Sequence, residues 1–441
     1  MEWYVTLIIF FAIFLLLVVV GVPVAFSFLI TNFIVITYLI GFEVGLEQLI
    51  QRTSGALTDF SLTPIPLFIL MGELLFQSGI VFATLEILNK WLKKLPGRLS
   101  VLSIVGGTMF ASLSGSSIAN TSMLGSVLAP EMKKMGYQTS ISLGPIMAAG
   151  TLAMIIPPSA MVVLLGGIAS IAVGPLLLGG VVPGLLLAAL FIVYIIIRCL
   201  INPSLAPTHT SKEDIKEPFS LKYFFLTLFR DILPLFVITF SVLGIILFGI
   251  ATPTEAAAVG VIASIVVIVL KSRLNKDVLK KSFNGTLRIS GMIMFIVAAS
   301  VGFGQLLSFS GATREMVAFI ESLNMSVIQL VIIFLIITII LGMVIEPISL
   351  MMITVPLFMP ILAALDVNLI WFGIMLLISY DLGNLTPPVG MLLFVMKGVR
   401  PEVPMPHIYK SIIPFFLIEL TMIVLILIFP QIVLWLPNLG G

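Results

Sequence analysis

The chain is short of charge. Lys, Arg, Asp and Glu make up only 10% of its 441 residues, while 60% are hydrophobic. A soluble domain carries roughly 25% charged residues and about 45–50% apolar ones. Too little polar surface is left to cover a water-facing body, which excludes a soluble enzyme and a disordered chain alike. The net charge of +2 is too small for a polyanionic partner, so no nucleic acid is expected. Cysteine is nearly missing. Cys199 stands alone, which rules out an internal disulfide framework and any cysteine-rich metal site. The only histidines, His209 and His407, sit in polar connecting segments, the ordinary place for solvated side chains. That argues against histidine catalysis and zinc chemistry. What remains is an all-α polytopic membrane protein.

Long apolar runs supply the spans, each needing about 20 residues at about 1.5 Å rise. Ten candidates stand at 3–20, 24–41, 60–80, 139–172, 175–197, 231–250, 254–270, 289–310, 370–396 and 411–435. The first has no basic region before it and no small-residue cleavage site after it, so a retained span is expected rather than a signal peptide. Two further apolar stretches, 99–130 and 326–361, do not fit as ordinary spans. Segment 198–230 is polar and charged. It reads as a cytoplasmic linker with an amphipathic helix.

The linker separates two similar halves. Pro23 and Pro253, Pro130 and Pro360, and Pro157-Pro158 and Pro387-Pro388 are all 230 residues apart. Gly72-Glu73-Leu74-Leu75 with Ser78-Gly79 recurs as Gly304-Gln305-Leu306-Leu307 with Ser310-Gly311. One proline match would mean little, but a shared offset across this many features indicates duplication. Residues 1–197 form the first repeat and 231–441 the second.

Charge placement gives orientation, because Lys and Arg favour cytoplasmic loops. Lys90, Lys93, Lys94 and Arg98 precede 99–130, and Lys133 and Lys134 follow it, so both ends of this stretch lie inside. The part before the break at Ser112 reaches only about 20 Å as a helix, against a hydrocarbon core of about 30 Å. A re-entrant hairpin over 99–131 is expected; two short tilted spans with an external loop are the alternative. In the second half the equivalent loops lack Lys and Arg, whereas Lys271, Arg273, Lys276, Lys280 and Lys281 mark an inside loop. Each half then has about five spans plus one hairpin, in opposite topology. The second hairpin covers 326–361, and the interrupted spans are 139–172 and 370–396. Both chain ends lie outside. Inverted repeats characterise secondary transporters.

Non-helical backbone at membrane depth is tolerated only where protein buries it or it lines a watery cavity. Four breaks are expected, at 112–122, 155–159, 342–349 and 383–390. Prolines free carbonyls one turn earlier. Such carbonyls and hydroxyls are hard ligands suited to Na⁺, while half-helix N-termini suit a carboxylate. Small residues also let membrane helices pack closely, which is the plainer explanation for scattered Ser and Gly. It accounts poorly for the cluster of Ser114, Gly115, Ser116, Ser117, Asn120, Thr121 and Ser122 at one break. Thr386 and Asn384 beside Pro387-Pro388 read the same way. The intramembrane acids are Glu73, Glu255, Glu346 and Asp381, each costly in lipid. Glu346 and Asp381 lie at breaks and are the ion-ligand candidates. Glu73 and Glu255 read as hydrogen-bond partners between helices. Glu255-Ala256-Ala257 resembles a coupling loop of ATP-driven importers, but no phosphate-binding loop accompanies it. Tyr380-Asp381 resembles an intramembrane aspartyl protease, but its Gly-x-Gly-Asp companion is missing. No catalytic set is found.

The runs FASLSGSSIANTSMLGSVLAPEMKKMGY (110–137), IIPPS (155–159) and GNLTPPVGMLLFV (383–395) resemble the large membrane subunit of tripartite ATP-independent periplasmic (TRAP) transporters. The likeness extends from GVPVAF (21–26) through GIATPTEAAAVG (249–260). It implies an elevator-type secondary transporter in the bacterial inner membrane. The implied partners are a small four-helix membrane subunit and a periplasmic substrate-binding protein. The implied cargo is Na⁺ with an organic acid such as a C4-dicarboxylate, sialic acid or another sugar acid. No small subunit is expected to be fused at the N-terminus. One departure stands out: an Asp-like position is expected at the second hairpin tip, where this chain has Glu346-Pro347.

The resulting assignment gives the anion Ser116, Ser117, Asn120, Pro157, Pro158, Thr386, Pro387, Pro388 and Gly390. It gives two or more Na⁺ ions Ser112, Ser114, Gly115, Ser116, Thr151, Gly342, Glu346, Asp381, Gly383 and Thr386. An ion or anion channel on the same repeats is the competing function. It would need a continuous polar path, and no helix carries a long polar stripe.

Overall fold

A chain that must satisfy its backbone without water forms helices or a closed barrel, and here the apolar runs are helical. The computed structural model describes residues 3–114, 116–207, 225–323 and 325–439, without the side chains of Trp3 and residues 112–114. The first helices are α1 (Trp3–Val19), α2 (Val24–Ile40), α3 (Phe42–Leu57), α4 (Pro64–Gln77) and α5 (Ile80–Trp91). They are followed by α6 (Arg98–Ser114), α7 (Ser117–Lys134), α8 (Thr139–Ile155), α9 (Ala160–Ala169) and α10 (Val173–Ile201). Beyond the linker come α11 (Leu233–Leu247), α12 (Pro253–Leu270), α13 (Lys276–Phe309), α14 (Ala312–Ser322) and α15 (Val327–Gly342). The last are α16 (Pro347–Ala364), α17 (Leu369–Asn384), α18 (Met391–Val399), α19 (Met405–Ile428) and the short α20 (Gln431–Leu434). The amphipathic helix expected in the linker falls largely on 208–224, outside the described residues.

Among the described residues seven helices are long and apolar enough to cross a membrane, and α8 with α9 makes an eighth, bent by 42° at its break. Short apolar helices such as α1, α2, α15 and α17 account for the rest of the expected runs. Two segments between the apolar runs are helical in whole or in part. Residues 42–57 form α3, because Glu43, Gln51 and Arg52 alternate with apolar positions at helical spacing. The basic segment at 276–281 is the first turn of α13, started by Asn275, whose side chain accepts from the Val278 N–H at 2.8 Å. At 34 residues α13 is about 51 Å long, well beyond the hydrocarbon core.

The duplicated Ser-Gly turns fold alike. Gly79 ends the α4–α5 connection with φ 70°, and Gly311 ends α13–α14 with φ 67°. Both sit in the left-handed region that only glycine enters without strain. The prolyl pairs also fall alike, between α8 and α9 and between α17 and α18.

Helices α8 and α17 form the core. Each is apolar around its circumference, as a helix packed on all sides must be, and buried from Ile141 to Ile155 and from Trp371 to Asn384. They pack on each other and on α6, α7, α10, α15, α16 and α19, while α1–α5 and α11–α14 pack mainly among themselves. The two groups meet where α4 and α5 touch α6, α4 touches α9, α10 touches α11, and α13 and α14 touch α16.

A polar clasp closes the basic end of α7. Arg400 is buried, and its Nη1 donates to the Ala129 carbonyl at 2.8 Å, while its Nε reaches Glu402 at 2.8 Å. Lys133 meets the same carboxylate at 3.2 Å. Its own backbone N–H, then Arg400 and Lys133, hold the Glu402 carboxyl down to about 2. A carboxyl made more acidic by folding stabilises the fold above its unfolded value, about 4.3. That contribution fades as pH falls toward about 2. Because Lys133 and Glu402 face solvent, the effect is small. Wild type and Glu402→Gln are expected to melt slightly apart near neutral pH and to converge as pH drops to about 2. A gap that stays constant over that range would show that the carboxylate is not the cause.

Candidate functional site

The first break yields a helix start. Ser116 caps α7, its Oγ accepting from the Ala119 N–H at 3.2 Å. One turn of α7 then aims Ser117, Asn120 and Thr121 at the core, and all three are buried. Asn120 Nδ2 joins three helices, donating to the Gly107 carbonyl of α6 at 3.1 Å and the Ala149 carbonyl of α8 at 2.8 Å. A Cβ at Gly150 would lie 1.9 Å from Thr121 Oγ1, so α7 can reach α8 only because that residue is glycine.

Across from α7 stands Asp381 of α17, fully buried, with Oδ1 accepting from Ser117 Oγ at 3.2 Å. Behind α8 stands Glu419 of α19, also fully buried, with Oε1 accepting from Thr151 Oγ1 at 2.6 Å. The helices that carry the two acids, α17 and α19, pack on each other and on α8. Thr151 and Asp381 are 230 residues apart, each six residues before its prolyl pair, so the cluster uses equivalent places in the two halves. Serine, asparagine, threonine and both acids thus converge from α7, α8, α17 and α19.

This convergence leaves oxygens without partners. Asp381 Oδ2, Glu419 Oε2, Asn120 Oδ1, Asn384 Oδ1 and Thr121 Oγ1 are buried and accept nothing. Buried polar atoms are normally satisfied, and buried acids are normally paired. Among the described residues no Lys or Arg pairs with Asp381 or Glu419. The donor set is all oxygen, which fits a hard cation such as Na⁺ and does not fit a soft metal.

Glycine lets the second pair of breaks meet. A Cβ on Gly383 would lie 2.6 Å from Gly342 Cα, so the ends of α15 and α17 touch backbone to backbone. Gly390, at φ 54°, donates its N–H to the Met343 carbonyl at 3.0 Å and fastens the second break to the second tip. Glu346, half-buried, turns both oxygens onto the start of α16. Oε1 accepts from the Ser349 N–H at 2.8 Å, and Oε2 from the Ile348 N–H at 3.1 Å. The longer acid at this tip therefore serves as a helix cap.

Other expected ligands lie elsewhere. Thr386 is half-buried and donates to the Leu382 carbonyl at 2.5 Å, while Pro387 and Pro388 are exposed. Pro157 lines an apolar cavity with Met109, Leu185 and Phe240, and Pro158 is buried. The side chains of Ser112 and Ser114, and all of Gly115, fall outside the described residues. Glu255 does not bridge two helices. It is exposed and completes a capping box with Thr252 at the start of its own helix, accepting from the Thr252 N–H at 2.8 Å. Glu73 accepts from Gln77 at 3.0 Å and packs on Gly285, an interhelical contact. Glu419 is the residue that sequence reasoning missed. Its signal was available: a lone carboxylate in the uncharged run from Ser411 to Trp435.

A family model for the tripartite ATP-independent periplasmic transporter, DctM component, matches residues 11–432. The chain belongs to that family. It is a multi-pass membrane protein, a transporter permease subunit and not an enzyme. Among relatives of the DctM component, a putative TRAP transporter large permease protein of Haemophilus influenzae is 32% identical over 85% of this chain and 91% of its own. The C4-dicarboxylate TRAP transporter large permease protein DctM of Vibrio cholerae is 29% identical over 96% and 95%. The fold resembles the Alcanivorax borkumensis YdaH transporter, with a TM-score of 0.66 at 16% identity over 90% of this chain and 91% of that one. The DctM-component family is the one that segments 110–137, 155–159 and 383–395 resemble.

Proposed function

We propose that this permease subunit imports organic acid anions with Na⁺ by elevator-type alternating access in the bacterial inner membrane. The observation that carries this reading is the set of unpartnered oxygens around two buried acids. Two carboxylates in one dry cluster repel each other, and a cation between them relieves that repulsion. Na⁺ would be held by Asp381, Ser117, Thr151 and Glu419, with Asn384 and Thr121 supplying neutral oxygens. The anion would bind at the open ends of the breaks, near the Ser116 cap, Thr386 and Gly390, where helix starts offer N–H groups. Sodium binding would fix α7 against α17 and so shape the anion site.

The two packing groups give the motion a basis. The group of α6–α10 and α15–α19 is the mobile part, and α1–α5 with α11–α14 is the frame. The halves act as inverted repeats, with hairpins α6–α7 and α15–α16 dipping from opposite faces. A small four-helix subunit and a periplasmic binding protein complete the transporter, the latter choosing the acid. The likeness to a C4-dicarboxylate permease supports a dicarboxylate cargo. Each charge crossing 100 mV is worth about 2.3 kcal/mol, so Na⁺ in excess of anion charge draws on the potential as well as the gradient.

Proteoliposomes holding the full transporter with its binding protein test the coupling. Uptake of a labelled C4-dicarboxylate is expected only with an inward Na⁺ gradient, and faster with the interior negative. Equal uptake with K⁺ or choline replacing Na⁺ would reject the coupling ion. Non-saturating conductance would favour a channel.

A further inference from the structure

A charged cavity lies away from the polar cluster. Lys90 of α5, Arg230 before α11, and Lys271 and Arg273 of the α12–α13 turn line a cleft of about 390 Å³, together with Glu86 and Asp231. Lys271 and Arg230 both pair with Asp231, Arg230 Nε at 3.5 Å, and Arg273 Nη1 donates to the Ser78 carbonyl at 3.3 Å. These contacts hold three cations on the wall. Four basic groups against two acids leave an excess of two positive charges.

The remaining wall is apolar, formed by Ile80, Ala83, Ile87 and Leu226. Beside it Leu226, Phe229 and Leu270 are 57%, 62% and 77% exposed, faces that hydrocarbon covers in a membrane protein. The basic residues belong to segments whose charge assigns them to the cytoplasmic side. The cleft therefore offers positive charge and an apolar wall side by side at the depth of the inner headgroups. Basic pockets between membrane helices on that side bind anionic headgroups.

We propose that this cleft binds the phosphate of an anionic phospholipid of the cytoplasmic leaflet, with Arg230 and Arg273 as counter-charges and an acyl chain along Ile80, Ile87 and Leu226. The bound lipid ties α5 to α11 and the α12–α13 turn, all in the outer packing group. Free phosphate shares the headgroup chemistry but leaves the apolar wall uncovered.

Native mass spectrometry of the full chain, with any subunit that co-purifies, tests this. The sample is equilibrated with equal phosphatidylglycerol and phosphatidylcholine in neutral detergent. Wild type is expected to retain phosphatidylglycerol preferentially. Each basic side chain contributes about fivefold (about 1 kcal/mol), so Arg230→Gln with Arg273→Gln lowers the preference by roughly tenfold or more. An unchanged preference would overturn the assignment. Displacement of the lipid by millimolar inorganic phosphate alone would overturn it in favour of a simple anion site. If the double variant does not fold, Glu86→Gln decides: it raises the positive excess and must increase retention, and no increase counts against the site.

Discussion

Asp381→Asn is expected to cut sodium-driven uptake by about a hundredfold or more while the chain still folds and inserts. Asparagine keeps the size of the side chain and can still accept from Ser117, whose hydroxyl lies 3.2 Å from Asp381. What disappears is a fully buried acid, the group whose negative charge would balance a bound Na⁺. Removing one partner of a buried charge pair costs about 3–5 kcal/mol, and each 1.4 kcal/mol is about tenfold in affinity. The loss must show as a higher Na⁺ requirement. A purely structural Asp381 would give the opposite pattern: lower stability with an unchanged Na⁺ dependence. Glu419→Gln is expected to follow in the same direction, with Thr151 still donating to the amide oxygen.

Gly383→Ala is expected to damage the fold as well as transport. Its Cβ would stand 2.6 Å from Gly342 Cα and 2.7 Å from the Gly342 carbonyl carbon. Both are backbone atoms, so no side-chain rotation relieves the overlap, and α15 must move away from α17. Overpacking costs about 1–3 kcal/mol and sometimes more; with backbone on both sides the upper end applies. The bond from Gly390 N–H to the Met343 carbonyl lies next to this contact and loosens with it. Gly342→Ala meets Gly383 Cα at 3.1 Å and is milder. Thermal unfolding of the two purified variants is expected to rank Gly383→Ala below Gly342→Ala and both below wild type. A Gly383→Ala protein that melts like wild type would contradict the close approach.

Asp381 was legible in the sequence because a charge beside a prolyl break in an apolar run has few structural excuses. The Ser114–Ser122 cluster was legible for the same reason, and its described part delivers Ser117 and Asn120 to the core. Glu419 escaped because nothing around it breaks the helix: α19 runs unbroken past it. Its partner Thr151 lies 268 residues away, a distance that local patterns do not bridge. Glu255 misled because an apolar run follows it. The Thr252-Pro253-Thr254-Glu255 spacing is a helix-start signature, with proline in the first turn, and it was the better guide. Glu346 shows a similar limit, since its distance from Ser349 decides that it caps α16. The loop expected at 271–281 was half right: charge marked the turn, while the Asn275 cap turned its second part into α13.

Direct binding of radiosodium to the purified full chain tests whether the two buried acids hold a cation, without requiring transport, partner proteins or a known acid. Saturable binding is expected in wild type, displaced by unlabelled Na⁺ and not by K⁺, and lost in a folded Asp381→Asn protein. Saturable binding that survives Asp381→Asn unchanged, or its absence from folded wild type, would contradict a cation held between the two buried acids.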